Sequence, residues 1–154
     1  MLDGGATFFA KFIETEFHDW KTPTGWLQYC SKFRNLFVHI EGIVVVTDPG
    51  TPFWTPIDQW QPNLTSVKTL QQLRQGGQMR IVLTTERPSS ERAKVTERLR
   101  DLHVPFDDIV FNMLCASHCI VNDFLPSTGY PTALGVSVPS NCQDLSAFLP
   151  RVPS

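Results

Sequence analysis

Near the start of the chain, Phe9, Ile13, Phe17 and Trp20 recur at near-helical spacing, with Phe8 and Phe12 beside them and Lys11, Glu14 and Asp19 at polar positions. Apolar side chains that return every three or four residues make one face of a helix. The pattern predicts an amphipathic helical arm over residues 1–22. Pro23 interrupts it before a second helical stretch, Trp26 to Phe33. The pattern then changes: Leu36-Phe37-Val38 and the β-branched run Ile43 to Val46 read as buried strand, with His39-Ile40-Glu41-Gly42 between them. From Asp48 to Pro62 the chain carries Pro49, Pro52, Pro56 and Pro62 among Phe53, Trp54 and Trp60. Proline lacks the amide donor that a helix needs, so a long ordered loop is expected, of a length that often carries function.

Helical periodicity returns after Asn63, whose side chain suits a helix cap. The expected apolar face is Leu64, Val67, Leu70 and Leu73, ended by Gly76-Gly77. Arg80 to Leu83 reads as the next strand and Thr84-Thr85-Glu86-Arg87-Pro88 as a turn. Ser89 or Ser90 is the expected cap of a charged helix that buries Val95, Leu99 and Leu102 and stops before Pro105. Asp108 to Phe111, His118 to Val121 and Thr132 to Val138 read as further strands, and Cys142 to Leu149 as a short terminal helix. Strands alternating with helices predict an α/β domain over residues 23–154, with a mainly parallel central sheet and crossover helices on its faces.

Composition narrows the function classes. A chain of 154 residues with 42% hydrophobic and 18% charged residues can build one domain with a substantial core. A net charge of −2 and a pI near 6.0 supply no electrostatic reason for nucleic acid or an anionic membrane as partner. Small molecules and proteins are the expected partners. No stretch approaches the ~20 apolar residues that span a bilayer, and Met1-Leu2-Asp3-Gly4-Gly5 has no signal-peptide pattern, so a cytoplasmic location is expected. The four cysteines, at 30, 115, 119 and 142, form no Cys-x-x-Cys pair and are expected as reduced thiols. Cys115, His118 and Cys119 lack the second ligand pair of a structural zinc site. The aromatic surplus on the arm and the proline-rich loop predicts an exposed apolar surface, and with it a homo-oligomer or a protein partner.

In an open parallel sheet, ligands bind beyond the carboxyl ends of the strands. Three such ends carry polar groups here: His39 and Glu41, Thr85, and Asp123. Leu36-Phe37-Val38-His39-Ile40-Glu41-Gly42 resembles the first motif of the haloacid dehalogenase (HAD) superfamily, an apolar strand followed by Asp-x-Asp-Gly. Ile81-Val82-Leu83-Thr84-Thr85-Glu86-Arg87-Pro88 resembles the second motif, and Ile120-Val121-Asn122-Asp123-Phe124, with Pro126, Tyr130 and Pro131, resembles the fourth. The resemblance runs from about Asp19 to Asn141. It implies a Rossmann-like three-layer HAD fold without a large cap, similar to small phosphatase-like domains of sugar-phosphate and surface-polysaccharide pathways. Thr47-Asp48-Pro49-Gly50-Thr51 imitates the first motif too, with Thr47 at the nucleophile and Pro49 at the second acid. The earlier register is preferred because Trp26 to Phe33, leading into Leu36-Phe37-Val38, also resembles what precedes the motif in relatives.

In either register the Asp pair is broken. The resemblance assigns the first Asp as nucleophile and the second as acid and base, roles that need carboxylates. His39 and Glu41 stand at those positions; Thr85 matches the phosphate-binding Thr, and Ser117 stands where relatives carry a Lys. The resemblance further implies Thr85 and Arg87 as contacts for a small phosphorylated ligand. It implies Glu41 and Asp123 as ligands for Mg²⁺ or another divalent metal, weakly held, with His39 joining for a transition metal. The expected function is therefore that of a catalytically impaired pseudophosphatase that binds or scaffolds. The alternative is a hydrolase with altered metal-dependent chemistry on a small phosphorylated metabolite.

Overall fold

The computed structural model of the protein describes Thr22 and residues 33–48, 55–121 and 133–149. The chain divides into two compact units, Met1–Arg34 and Asn35–Ser154. The expected arm and the stretch Trp26 to Phe33 fall almost wholly outside the described residues, as do Phe53, Trp54 and Asp123.

Within the second unit, the run Ile81-Val82-Leu83 explains the sheet. All three side chains are buried, which is what a strand covered on both faces requires. This strand, β4 (Met79–Thr84), lies between β1 (Arg34–His39) and β5 (Asp108–Val110) in the order β1-β4-β5. β4 and β5 are parallel, with Val82 opposite Asp108 and Thr84 opposite Val110. At the end of β1, the Ile40 N–H donates to the Thr84 carbonyl at 2.9 Å. The fold is α/β with a mainly parallel sheet, as the alternation of elements predicts.

β1 and the first described helix, α1 (Leu64–Gln75), are joined by a turn and a small second sheet. Gly42 adopts φ +82°, a left-handed conformation that glycine takes without steric cost. The chain then forms β2 (Val45–Val46), which pairs antiparallel with β3 (Gln61–Pro62). Of the β-branched run Ile43 to Val46, only the last two residues are strand, because the Gly42 turn takes up the first two. In the expected loop, Ile57–Gln59 form a 3-10 turn and Trp60 is completely buried, so this aromatic is core rather than partner surface.

Asn63 caps α1, its side-chain oxygen accepting from the Ser66 N–H and from the Thr65 hydroxyl. Val67 and Leu70 are buried and Leu73 half-buried, but Leu64 is 74% exposed. At about 100° per residue Leu64 lies about 60° from Val67 but about 120° from Leu70 and about 160° from Ser66, outside the centre of the buried stripe, which corrects its expected place on the apolar face. α2 (Arg92–Asp101) buries Val95 and Leu99. Neither Ser89 nor Ser90 caps it. A 3-10 turn, Ser89–Glu91, leads into α2 with no side-chain cap, and the Ser89 N–H donates instead to the Asn112 side chain.

Three further expectations are corrected. Residues 118–121 form no strand and are exposed, and residues 133–138 form no strand either. The β-branched residues there have no paired neighbour among the described residues, and strand preference is realised only through such pairing. Cys142 to Leu149 contains no α-helix, only the 3-10 turn Leu145–Ala147. Two anchors hold that segment to the rest: Cys142 and Leu145 are buried in the core, and the Asn63 side chain donates to the Cys142 carbonyl at 2.9 Å. Among the described residues, no helix is long and apolar enough to cross a membrane.

Candidate functional site

The parallel arrangement brings the carboxyl ends of β1 and β4 side by side, and with them the segments His39–Gly42 and Thr84–Pro88. Side chains alternate along a strand, so His39 and Glu41 leave the end of β1 on the same side. Glu41 is deeply placed, with its side chain 1% exposed. A buried carboxylate must be paired or hydrogen-bonded. Its Oε1 accepts from the Thr85 hydroxyl at 2.9 Å and from Arg87 Nε at 3.2 Å. Burial raises the pKa of Glu41, against the opposing pull of His39, Thr85 and Arg87.

Arg87 is fixed from several sides. Its guanidinium reaches Glu91 at 3.1 Å, one helical turn further along, and donates to the Thr55 carbonyl. It also lies over the Trp60 ring at 4.9 Å, a cation–π contact. The Arg87 N–H donates to the Thr85 hydroxyl at 3.1 Å, so that hydroxyl serves Glu41 and the turn together. Thr85 and Arg87, expected as contacts for a phosphorylated ligand, both have Glu41 as an internal partner.

The remaining oxygen of Glu41 faces a different neighbour. Glu41 Oε2 lies 3.6 Å from His39 Nε2, and Glu86 Oε2 lies 3.2 Å from the same nitrogen. Among the described residues neither oxygen has a hydrogen-bond partner, although both are buried. The other ring nitrogen of His39, Nδ1, sits 3.4 Å from the Thr84 hydroxyl. One ligand atom from each of His39, Glu41 and Glu86 lies within 4.8 Å of the others.

The structure thus unites His39, Glu41, Thr85 and Arg87. Ser117 is exposed in an irregular stretch after β5, and among the described residues it makes no hydrogen bond or ion pair with this cluster. Asp123 lies outside the described residues. Glu86 was not among the expected site residues. Its signal in the sequence is its place: it follows Thr85 directly at a strand end, where every polar residue is a candidate. Cys115 and Cys119 are free and exposed, and His118 approaches the Leu114 carbonyl at 3.3 Å.

Mg²⁺, which the HAD resemblance implies, takes oxygen ligands in octahedral geometry and keeps several waters. Here an imidazole nitrogen stands where that resemblance would place the first Asp, and Thr85 and Arg87 occupy one oxygen of Glu41. This donor set does not fit Mg²⁺ as the phosphatase pattern holds it.

No family model and no curated protein matches the chain. The crystal structure of a target protein from Vibrio cholerae is similar to it, with 19% identity, coverage of 62% of this chain and 86% of that one, and a TM-score of 0.42.

Proposed function

We propose that the chain is a catalytically impaired HAD-like protein, a pseudophosphatase that works by binding or scaffolding rather than by turnover. The end of β1 supports this reading most directly. The position of the attacking Asp carries His39, and Glu41, at the position of the acid, accepts from both Thr85 and Arg87 through one oxygen. That leaves only Oε2 for proton transfer, and it faces His39 Nε2 at 3.6 Å where an attacking carboxylate would be needed. The Lys that offsets phosphoryl charge in relatives has Ser117 in its place. Exposed free thiols at Cys115 and Cys119 accord with a cytoplasmic setting. The partners in this reading are a second copy of the chain or another protein.

A panel of phosphomonoesters with Mg²⁺ tests the proposal. No phosphate release above background is expected, and His39→Asp with Glu41→Asp should not produce turnover while Ser117 stays uncharged. Wild-type turnover near ~10 s⁻¹, typical of enzymes, and its loss in His39→Ala, would overturn the impaired reading. The gathering of His39, Glu41 and Glu86 favours a second reading, a hydrolase with altered metal-dependent chemistry on a small phosphorylated metabolite.

A further inference from the structure

We infer that His39, Glu41 and Glu86 form a binding site for one divalent transition-metal ion of the zinc or cobalt type, reached from the carboxyl end of the sheet. The inference goes beyond the phosphatase reading and does not require it, because it stands on side chains that meet in space.

Three observations carry it. First, two of the three ligand-to-ligand spacings match, and the third pair lies within 4.8 Å. A tetrahedral ion with bonds of about 2.0–2.2 Å sets its ligand atoms about 3.3–3.6 Å apart. Nε2 of His39 lies 3.2 Å from Glu86 Oε2 and 3.6 Å from Glu41 Oε2. Second, those two oxygens accept no hydrogen bond from the ring despite being so close. Glu86 Oε2, at 3.2 Å, therefore lies off the direction in which a ring N–H would point, and Glu41 Oε2, at 3.6 Å, is beyond hydrogen-bond reach of the ring, so both are open to an ion shared among three donors. Third, Glu41 is 1% exposed and, among the described residues, its Oε2 accepts no hydrogen bond, with His39 Nε2 as its neighbour at 3.6 Å. A buried carboxylate oxygen without a partner is costly, and an ion bridging it to His39 and Glu86 removes that cost.

The chemistry of the donors selects the ion. One imidazole nitrogen with two carboxylate oxygens suits zinc, cobalt or nickel over Mg²⁺ or Ca²⁺. The ring is oriented by its second nitrogen, at 3.4 Å from the Thr84 hydroxyl, the kind of outer contact that fixes a ligating histidine. Arg87 and Thr85 take the other oxygen of Glu41 and so present Oε2 to the ion. His39 and Glu86 are partly exposed, at 27% and 16% of their side chains, which provides an entry route and leaves positions for water.

Titrating the full chain with Co²⁺ and with Mg²⁺, by calorimetry and by the visible absorption of bound cobalt, tests the site. The expected result is one Co²⁺ per chain, held at least about tenfold more tightly than Mg²⁺. His39→Gln and Glu86→Gln should each weaken Co²⁺ by on the order of 10–100-fold or more, the loss that removal of even an outer-shell partner brings. Circular dichroism checks that these two partly exposed substitutions leave the fold intact. A Cys115→Ser/Cys119→Ser double variant should bind Co²⁺ as the parent does. Absence of saturable one-to-one binding overturns the inference. So does affinity unchanged in either Gln variant, Mg²⁺ binding as tight as Co²⁺, or loss of binding in the Cys double variant. Phosphate release is read separately, so a turning-over protein that binds Co²⁺ as expected refutes the impaired reading and spares the site. An inactive protein that binds no Co²⁺ does the reverse.

Discussion

Two stretches leave the carboxyl end of the sheet, one after β4 and one after β5, and they fare differently. After β4 the chain folds back against the end of β1, and its polar groups are closed in sets. The Thr85 N–H donates to the Val110 carbonyl, the Thr85 and Arg87 carbonyls accept from Met113 and Asn112, and the Thr85 hydroxyl links Glu41 to the turn. After Asn112, the chain runs on through Leu114 to Val121 without regular structure, with Val121 92% exposed. Ile120 and Val121 are as β-branched as Ile81 and Val82, which are buried in β4. Side-chain type does not decide between the two outcomes. What separates them is whether a neighbouring strand supplies hydrogen bonds and a covered face.

The comparison can be broken most sharply at Arg87. Arg87→Ala leaves Glu41 buried without its guanidinium partner, and removal of one partner of a buried ion pair costs about 3–5 kcal/mol. Urea denaturation should show a loss of that size. A loss under ~1 kcal/mol would mean that Thr85 and His39 satisfy the carboxylate without Arg87. A smaller effect is expected at Asn63, which caps α1 and holds the Cys142 carbonyl. Asn63→Ala should cost about 1–2 kcal/mol, the upper part of the range for helix caps, and thermal melting should register it. In the stretch after β5, Val121→Ser should change stability by no more than ~0.5 kcal/mol, as exposed sites do. A larger change in the same denaturation assay would show that this stretch packs against something in solution.

The β1–β4–β5 core was legible because its strands are short apolar runs bounded by turn residues, and α1 and α2 because their apolar residues repeat at helical spacing. His118 to Val121 carries the same local signal as β5, and periodicity cannot tell whether a partner strand exists. Leu64 was misplaced for a geometric reason: it fits the spacing toward Val67 but not the centre of the stripe. In the site, His39, Glu41, Thr85 and Arg87 were found through motif positions at strand ends. Their relations were not legible. That Arg87 serves Glu41 rather than an outside anion, and that Glu86 turns toward His39, depends on how two strand ends separated by more than forty residues lie together.

Asn141 gives the site region a late step in its assembly. With φ +57°, it donates its side-chain N–H to the Thr47 carbonyl at 2.7 Å and accepts from the Thr47 N–H at 3.1 Å. Its own N–H donates to the carbonyl of Gly42. One side chain thus imitates a strand partner for the loop that follows Glu41, across a sequence separation of 94 residues. Closing so long a loop costs entropy before any contact repays it. During synthesis β1 and β4 can pair once β4 has emerged, but the loop after Glu41 waits for Asn141. Until then Thr47 and Gly42 lack the backbone and side-chain partners that Asn141 supplies.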